Sequence, residues 1–227
     1  LIDIWGADHA GTVKRIKAAV AALTGGKTRF DVKLVQMVRL LKNGEPFKMS
    51  KRAGNSVTLA DIVDEVGKDA VRFTMLTRKA DAQMDFDFAK VVEASRDNPV
   101  FYVQYAHARI ASLKRRLADA GVAPATPNTA RLDDYELGLV KLLAQFPRIV
   151  ESAASAREPH RIAFYLADVA AAFHAWYNLG NDDPGLRIVL DNDPELTATR
   201  LYLADGIGQV IRNGLHLMGV EALEEMN

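Results

Sequence analysis

The hydrophobic pattern of the first 25 residues predicts a strand, a turn and a helix. Residues 1–5 are an apolar run that ends at Gly6-Ala7-Asp8-His9. This is the pattern of a buried strand followed by a polar turn whose side chains lie at the carboxyl edge of a parallel sheet. Apolar residues then recur at positions 13, 16, 20 and 23, on one face of a helix that Gly25 ends. Asp8 and His9 have two possible roles, as a binding site or as a helix cap and its neighbour.

A hairpin and two helices are predicted next. Residues 32–41 are rich in β-formers, and Asn43-Gly44 indicates a two-residue turn whose far arm leads into a basic loop. The segment 58–61 has the form of a capping box with Asp in place of Glu, so a helix should start there and end at Gly67, and another should start near Asp69. The segment Asp-Phe-Asp-Phe at 85–88 is interpreted as a capped turn rather than as a metal site.

Helical periodicity dominates from Asn98, a predicted N-cap that Pro99 follows. An apolar face runs along residues 103–117, and residues 121–128, with two prolines, indicate a linker. Further helical patterns cover residues 135–146, 148–156, 161–177 and 195–218, with an irregular segment at 180–193. The chain is therefore predicted to be predominantly α, with an α/β domain at residues 1–92 and an all-α bundle of four or five helices at 93–227.

Composition limits the function classes. The 227 residues include 29 basic, 29 acidic and no cysteine residues, which excludes disulfides and thiolate metal sites and fits a reducing compartment. No apolar run reaches the roughly 18 residues of a membrane span, so we expect a cytoplasmic protein. The chain opens inside an apolar strand without Met, from which we expect that an earlier half is missing.

Two regions carry local positive charge in spite of the balanced total. Eight basic residues and two acidic ones lie between positions 27 and 52, and no acidic residue lies between Asp97 and Asp119. The densest part is the loop at residues 47–55, Phe-Lys-Met-Ser-Lys-Arg-Ala-Gly-Asn. Its lysines and open backbone suit a polyphosphate, although a basic run is often only a solvated surface.

The helix after Asn98 has a second, polar and aromatic face. Tyr102, Tyr105, Arg109 and Arg116 are separated by three, four and seven positions and so share one side. Aromatic rings interleaved with guanidinium groups suit unstacked RNA bases and their phosphates. The alternative is that the tyrosines are half-buried core residues with solvated hydroxyls.

The loop sequence Lys48-Met49-Ser50-Lys51 matches the KMSK signature of class I aminoacyl-tRNA synthetases, and its surroundings resemble the arginyl-tRNA synthetases in particular. The segment 102–109, Tyr-Val-Gln-Tyr-Ala-His-Ala-Arg, resembles the same family. The resemblance covers nearly the whole chain. It implies the end of a truncated Rossmann-type catalytic domain followed by an anticodon-binding helical bundle.

The resemblance also implies site residues for ATP and arginine. Lys51 would stabilise the departing pyrophosphate, with Lys48 and Ser50 assisting, and Met49 would lie in the same ATP-binding loop. In the turn after the first strand, Asp8 would contact the ATP ribose, Gly6 would allow close approach and His9 would lie beside it. ATP would be a substrate together with Mg²⁺, and no residue is assigned as a metal ligand.

For the helical part, the resemblance implies binding of tRNA(Arg) by a monomeric enzyme. Tyr102, Tyr105, Arg109 and Arg116 are the candidate contacts. Met226 is a further candidate, because a Met near the carboxyl terminus packs beside the anticodon in this family; here one more residue, Asn227, follows it.

Two alternatives to a complete enzyme remain. The family's other ATP-binding signature, His-x-Gly-His, does not occur in these residues, so we expect the polypeptide alone not to activate arginine. It could act as an RNA-binding module without catalysis. Another class I synthetase, such as a cysteinyl enzyme, shares the Lys-Met-Ser-Lys loop and a helical anticodon domain but lacks the 102–109 segment.

Overall fold

The computed structural model describes residues 1–47, 58–95, 97–119 and 125–226. The chain divides into two compact units, which are treated separately below. The first comprises Leu1–Val66 and Arg78–Val91, and the second comprises Gly67–Thr77 and Val92–Asn227. The division falls close to the predicted boundary at residue 92, but Gly67–Thr77, which the sequence analysis placed in the first domain, groups with the helices of the second unit.

The first unit opens with the predicted strand, turn and helix. Strand β1 (Ile2–Gly6) is followed by a 3₁₀ helix (Ala7–Thr12), helix α1 (Val13–Thr24) and strand β2 (Asp31–Val35). Strands β1 and β2 pair in parallel, with Ile2 opposite Asp31 and Gly6 opposite Val35. Gly25 ends α1 in the left-handed conformation (φ 58°), as expected of a glycine after a helix. This is a β-α-β unit of the predicted α/β type.

Within this unit neither β1, predicted as a buried strand, nor the apolar face of α1 is covered. Ile4 is 71% exposed and Leu23 is 87% exposed, and α1 has no buried residue. Among the described residues, β1 pairs with one strand, β2. Periodicity identified the correct elements but not how deeply each is buried.

The predicted hairpin is present and is held by an aspartate that the sequence analysis interpreted differently. Strand β3 (Val38–Lys42) and strand β4 (Glu45–Pro46) pair antiparallel around Asn43-Gly44, both with positive φ. Residues 85–88 are not a capped turn, because Met84–Asp87 forms strand β5, parallel to β3. The carboxylate of Asp87 accepts the backbone N–H groups of Asn43, Gly44 and Ala89 at 3.2, 2.6 and 3.0 Å.

The capping box at the start of the next helix is confirmed. Helix α2 (Leu59–Val66) begins after Thr58, whose Oγ1 accepts the N–H of Asp61 at 3.2 Å while the Asp61 carboxylate accepts the N–H of Thr58 at 2.7 Å. The buried side chains of this part of the unit come from α2, β5 and the residues beside β5. They include Ile62, Val66, Met84, Phe86 and Phe88.

The second unit is helical, as predicted. Asn98 caps its longest early helix, with Oδ1 accepting the N–H of Val100 at 3.3 Å, and Gly219 ends its last helix with φ 68°. The helices are α3 (Lys68–Leu76), α4 (Pro99–Asp119), α5 (Asp134–Leu143), α6 (Phe146–Ala156), α7 (His160–Asp182) and α8 (Pro194–Met218). The segment predicted as irregular from residue 180 is helical to Asp182 and then contains a 3₁₀ turn (Pro184–Leu186).

Helices α4, α7 and α8 form the centre of the second unit's core, which includes Val103, Leu166, Phe173 and Ile211, all fully buried. Close packing of α7 on α8 depends on Gly214, since a Cβ there would lie 2.6 Å from Leu166 Cδ2. The fold as a whole is predominantly α with a smaller α/β part, which confirms the predicted class. None of the described helices is long and apolar enough to cross a membrane.

Candidate RNA-binding surface and nucleotide-binding turn

The polar face of α4 carries a cluster of aromatic rings around one guanidinium, defined by Tyr102, Tyr105, Arg109, His174 and Tyr177 and called the aromatic cluster below. The Arg109 guanidinium carbon lies 4.6 Å from the ring centre of Tyr105 and 4.3 Å from that of Tyr177. Arg109 also donates to the Tyr105 hydroxyl at 2.9 Å. Helix α4 supplies the first three residues of the cluster and α7 the other two.

His174 is the buried centre of this cluster. Its ring centre lies 4.5 Å from that of Tyr102 and 5.5 Å from that of Tyr105. Burial lowers the pKa of His174, and the charge of Arg109 acts in the same direction, while the hydrogen bond with the Tyr102 carbonyl opposes them. The ring is therefore neutral near pH 7.

The neutral ring has one arrangement of its proton that fits both neighbours. Arg109 Nη1 lies 3.3 Å from His174 Nδ1, and because a guanidinium only donates, Nδ1 accepts. The proton is then on Nε2, which donates to the Tyr102 carbonyl at 3.2 Å. This network joins α4 to α7 and fixes the orientation of Arg109.

The aromatic cluster is suited to stacking. Tyr102 and Arg109 are half-buried, but Tyr105 is exposed and stacks on Phe101 with ring centres 5.8 Å apart. Ring faces beside a fixed guanidinium can accept an unstacked base and attract its phosphate. Three of the five predicted RNA contacts are therefore together, and they are partly buried and partly accessible.

Arg116 lies outside the aromatic cluster, two helical turns beyond Arg109 on α4. It is exposed and lines a cavity of about 860 Å³ between α4, α7, α8 and residues 187–191. Tyr177 lines the same cavity, so the aromatic cluster and the cavity adjoin. The walls are mainly apolar, with Leu113, Ile188, Val189 and Leu201 among them.

Met226 ends an extended segment that runs along another side of α4. The carbonyl oxygens of Glu221, Leu223 and Glu224 lie within 3.2 Å of side-chain nitrogens of Gln104, His107 and Arg115 respectively. Met226 itself is half-buried. The structure thus separates the predicted RNA contacts into the aromatic cluster, Arg116 by the cavity and Met226 at the end of this segment.

In the first unit, the turn with Gly6, Asp8 and His9 lies directly after β1, as predicted. Asp8 does not cap a helix, because the capping positions are Gly6 and Thr12 and neither receives a side-chain cap. Its carboxylate instead folds back over Gly6, where a Cβ would lie 2.6 Å from Asp8 Oδ1. Asp8 and His9 are exposed, with 3.6 Å between His9 Nε2 and Asp8 Oδ2, so both side chains are accessible to a ligand.

Lys48, Met49, Ser50 and Lys51 lie outside the described residues. The residues on either side are fixed within the first unit. Phe47 donates its N–H to Leu40 O at 2.8 Å and packs on Phe88 at 5.6 Å between ring centres, while the residue at the other side, Thr58, caps α2.

Metal ligands do not cluster in the part of the chain that the structure describes: no three His, Asp or Glu side chains there lie close enough to hold an ion. Asp85 pairs with Arg39, at 2.6 and 2.8 Å, and Asp87 holds the hairpin turn. The two acids at 85–88 are therefore structural.

The sequence analysis missed four residues that organise the helical unit. His174 and Tyr177 complete the aromatic cluster from α7, more than 60 positions after Arg109 in the chain. Gln104 and His107, inside the segment that resembles the synthetases, hold the end of the chain. Positions 104 and 107 lie on a different side of the helix from Tyr102, Tyr105 and Arg109. This spacing could have predicted that the segment has a second set of contacts.

Comparisons with known proteins agree on one family. The DALR anticodon binding domain matches residues 103–226. The chain is 70% identical over 230 residues to the arginine–tRNA ligase of Novosphingobium aromaticivorans and 58% identical over 234 residues to that of Azorhizobium caulinodans. Each match covers all of this chain and 40% of the relative, so the chain spans about 40% of the length of these curated relatives.

Solved structures give the same result. A putative arginyl-tRNA synthetase from Campylobacter jejuni superposes with a TM-score of 0.83 at 34% identity, over 99% of this chain and 47% of that chain. The Thermus thermophilus arginyl-tRNA synthetase has a TM-score of 0.69 at 24% identity, over 99% of this chain and 41% of that one, a likeness of fold.

Proposed function

The chain belongs to the DALR anticodon binding domain family and is homologous to part of the arginine–tRNA ligases, and from this we propose that its helical unit binds the anticodon arm of tRNA(Arg). The observation that carries the proposal is the aromatic cluster on α4 and α7. Tyr105 and Arg109 lie within the residues that match the anticodon-binding family.

The roles in the aromatic cluster follow from its geometry. Tyr105 supplies an exposed aromatic ring for contact with a base, and Arg109, held between two tyrosines, supplies a cation beside it. Stacking of one base on such a ring contributes about 1–3 kcal/mol. Tyr102 acts mainly by supporting His174, whose ring it contacts with 4.5 Å between ring centres.

Arg116 and Met226 are proposed as contacts outside the cluster. Arg116 is an exposed cation beside the cavity and suits a phosphate of the same strand. Met226 offers a flexible apolar side chain at the end of the segment along α4, which suits the edge or face of a base.

In the complete enzyme we propose that the first unit takes part in activation of arginine. Arginine would attack the α-phosphate of ATP to give arginyl-adenylate and pyrophosphate, and the arginyl group would then pass to the tRNA. Lys51 would stabilise the pyrophosphate, with Lys48 and Ser50 assisting and Met49 in the same loop. Removing one such charge typically lowers the rate roughly a hundredfold.

The turn after β1 is proposed as the ribose and amino-acid side of the same site. Gly6 leaves room for the Asp8 carboxylate, which accepts hydrogen bonds and so suits the ribose hydroxyls, and His9 lies next to it. Mg²⁺ would arrive bound to ATP. We propose a cytoplasmic, monomeric enzyme.

The 227 residues by themselves are proposed to bind tRNA without activating arginine, because they contain no His-x-Gly-His segment. The test is arginine-dependent exchange of pyrophosphate into ATP with tRNA present. Exchange above background by this polypeptide would contradict the proposal.

Titration with two tRNAs tests the binding function. We expect tighter binding of tRNA(Arg) than of a tRNA for another amino acid, with the difference kept as salt is raised, because base contacts depend less on salt than phosphate contacts do. Equal, weak and strongly salt-dependent binding of both would mean phosphate contacts only and would overturn anticodon recognition.

A further inference from the structure

The last described residues of the chain are held along α4 by hydrogen bonds from three side chains of that helix. We call residues 220–226 the tail and Gln104, His107 and Arg115 the clasp. Gln104 donates to Glu221 O at 2.9 Å, His107 Nδ1 lies 2.9 Å from Leu223 O, and Arg115 donates to Glu224 O at 3.1 and 3.2 Å.

Two of the three clasp residues, Gln104 and His107, belong to the buried interior of the unit, and Arg115 lies at its exposed edge. Gln104 is 6% exposed and His107 is 2% exposed, and buried polar groups of this kind need partners. The tail carbonyls are those partners, and a neighbouring acid completes the arrangement: Asp69 Oδ2 accepts from both Gln104 and the N–H of Glu221, at 3.2 and 3.0 Å.

The clasp binds the tail's backbone rather than depending on the identity of its side chains. Each of its three members contacts a carbonyl oxygen, which every residue type supplies. The path of the tail is therefore fixed by α4, and the half-buried side chain of Met226 lies at its end.

Charge at the end of the tail favours the same path. Arg115 lies 3.9 Å from the Glu224 carboxylate and 3.4 Å from that of Glu225, and Arg212 lies 3.7 Å from Glu224. These pairs offset acids that would otherwise repel an RNA phosphate. A tail released from the clasp would carry these acids without their arginine partners.

We infer that Gln104, His107 and Arg115 are positioning residues for RNA binding: they do not touch the RNA but hold the tail so that Met226 can. The inference rests on the proposed function, because it takes tRNA(Arg) as the ligand. It assigns the 102–109 segment two tasks on two sides of one helix, base stacking through Tyr105 and Arg109 and tail positioning through Gln104 and His107.

His107 gives a matched pair of variants. His107→Leu keeps an apolar body of similar size and removes the donor, whereas His107→Asn places an N–H donor on the same Cγ atom. We expect His107→Leu to speed amide hydrogen exchange in residues 220–226 but not in the middle of α7, and to weaken tRNA(Arg) binding about fivefold, as for loss of one ordinary hydrogen bond. His107→Asn should retain most of the slow exchange in residues 220–226 and most of the affinity for tRNA(Arg).

A double-mutant cycle with Met226→Ala separates positioning from a general structural effect. Met226→Ala alone should weaken binding, and adding His107→Leu should weaken it little further. Arg115→Ala, at an exposed position that does not threaten the fold, should behave as His107→Leu does in both backgrounds.

Several results would overturn the inference. One is a loss of tRNA(Arg) affinity from His107→Leu that is as large in the Met226→Ala background as in the parent chain. Another is faster exchange in the tail with unchanged or tighter tRNA binding, which would mean that the tail does not contribute to RNA binding or competes with it. If the unaltered chain binds tRNA(Arg) but the clasp variants bind equally well, only the inference fails. If the unaltered chain does not bind tRNA(Arg), the proposed function fails and the inference with it.

Discussion

Arg109 organises the aromatic cluster because a guanidinium can stack on ring faces and donate within its own plane at the same time. It lies against two tyrosine rings and donates to a third group, the His174 ring. Lysine, with a single ammonium group, could not make these contacts together. At the scale of single residues, then, the proposed RNA contact is preorganised by one buried ring, His174, and by two tyrosines that are only partly covered.

Asp193 provides a pH-dependent prediction at the residue scale. It caps α8, with Oδ1 accepting the N–H of Leu196 at 3.0 Å, and it receives two hydrogen bonds from Arg131, both at 2.7 Å. The Arg131 hydrogen bonds, followed by the backbone one, lower the pKa of Asp193 to about 2.

Because the folded state holds this carboxylate in its charged form, it stabilises the fold above the unfolded pKa of about 3.9, and that stability is lost as the pH falls from there towards about 2. We expect the melting temperature, measured by circular dichroism, to fall less between about pH 4 and about pH 2 in Asp193→Asn than in the parent chain. Asp168→Asn, an exposed acid on α7, is the control. Parallel curves for the parent and Asp193→Asn would contradict the assignment.

Sequence reasoning reached some residues and not others for identifiable reasons. Tyr105 and Arg109 were found because their spacing is local to one helix. His174 was missed, since its partners lie on a different helix and no local pattern relates them. Buried pairs such as Glu136 and Arg200, at 2.7 Å, escaped for the same reason.

At the scale of elements, two helices can pack closely where one of them has a glycine at the contact. Helix α8 approaches α7 at Gly214, opposite the fully buried Leu166. Gly138, on the exposed side of α5, would have nothing within 4 Å of an added Cβ. The two glycines therefore have opposite roles although both are in helices.

Alanine at these two positions should have opposite effects on stability. Gly138→Ala should stabilise the fold by about 0.5–1 kcal/mol, because alanine restricts the unfolded chain and favours the helix. Gly214→Ala should destabilise it by about 1–3 kcal/mol, because the new methyl group overpacks the contact with Leu166. Urea unfolding of both variants measures this, and a stabilising Gly214→Ala would show that the crossing is looser than described.

The strands show how far pattern alone goes at this scale. The hairpin at Asn43-Gly44 was predicted because its turn residues carry a specific backbone requirement, φ above zero, which they meet. Strand β5 was missed because Asp-Phe-Asp-Phe alternates as a strand does but also suits a capped turn. The segment is a strand rather than a turn because it pairs in parallel with β3. That strand lies more than 40 residues earlier in the chain, so no local pattern indicates the pairing.

At the scale of the whole molecule, the two units carry different chemistry on a chain with no net charge. The first places Asp8 and His9 after a parallel strand and fixes both flanks of the Lys48–Lys51 loop. The second presents aromatic rings, Arg116 and the clasped tail. The family was recognisable from two short segments, but the division of labour within α4 required the contacts of both its sides.

Competition by isolated parts of the tRNA tests the central claim, recognition of the anticodon arm by the helical unit, most directly. The chain is bound to labelled tRNA(Arg), and unlabelled stem-loops are added at fixed salt. We predict that the anticodon stem-loop of tRNA(Arg) displaces the label, and that a stem-loop with an altered anticodon is weaker by about tenfold or more. Equal displacement by both stem-loops, or displacement by the acceptor arm alone, would contradict the claim.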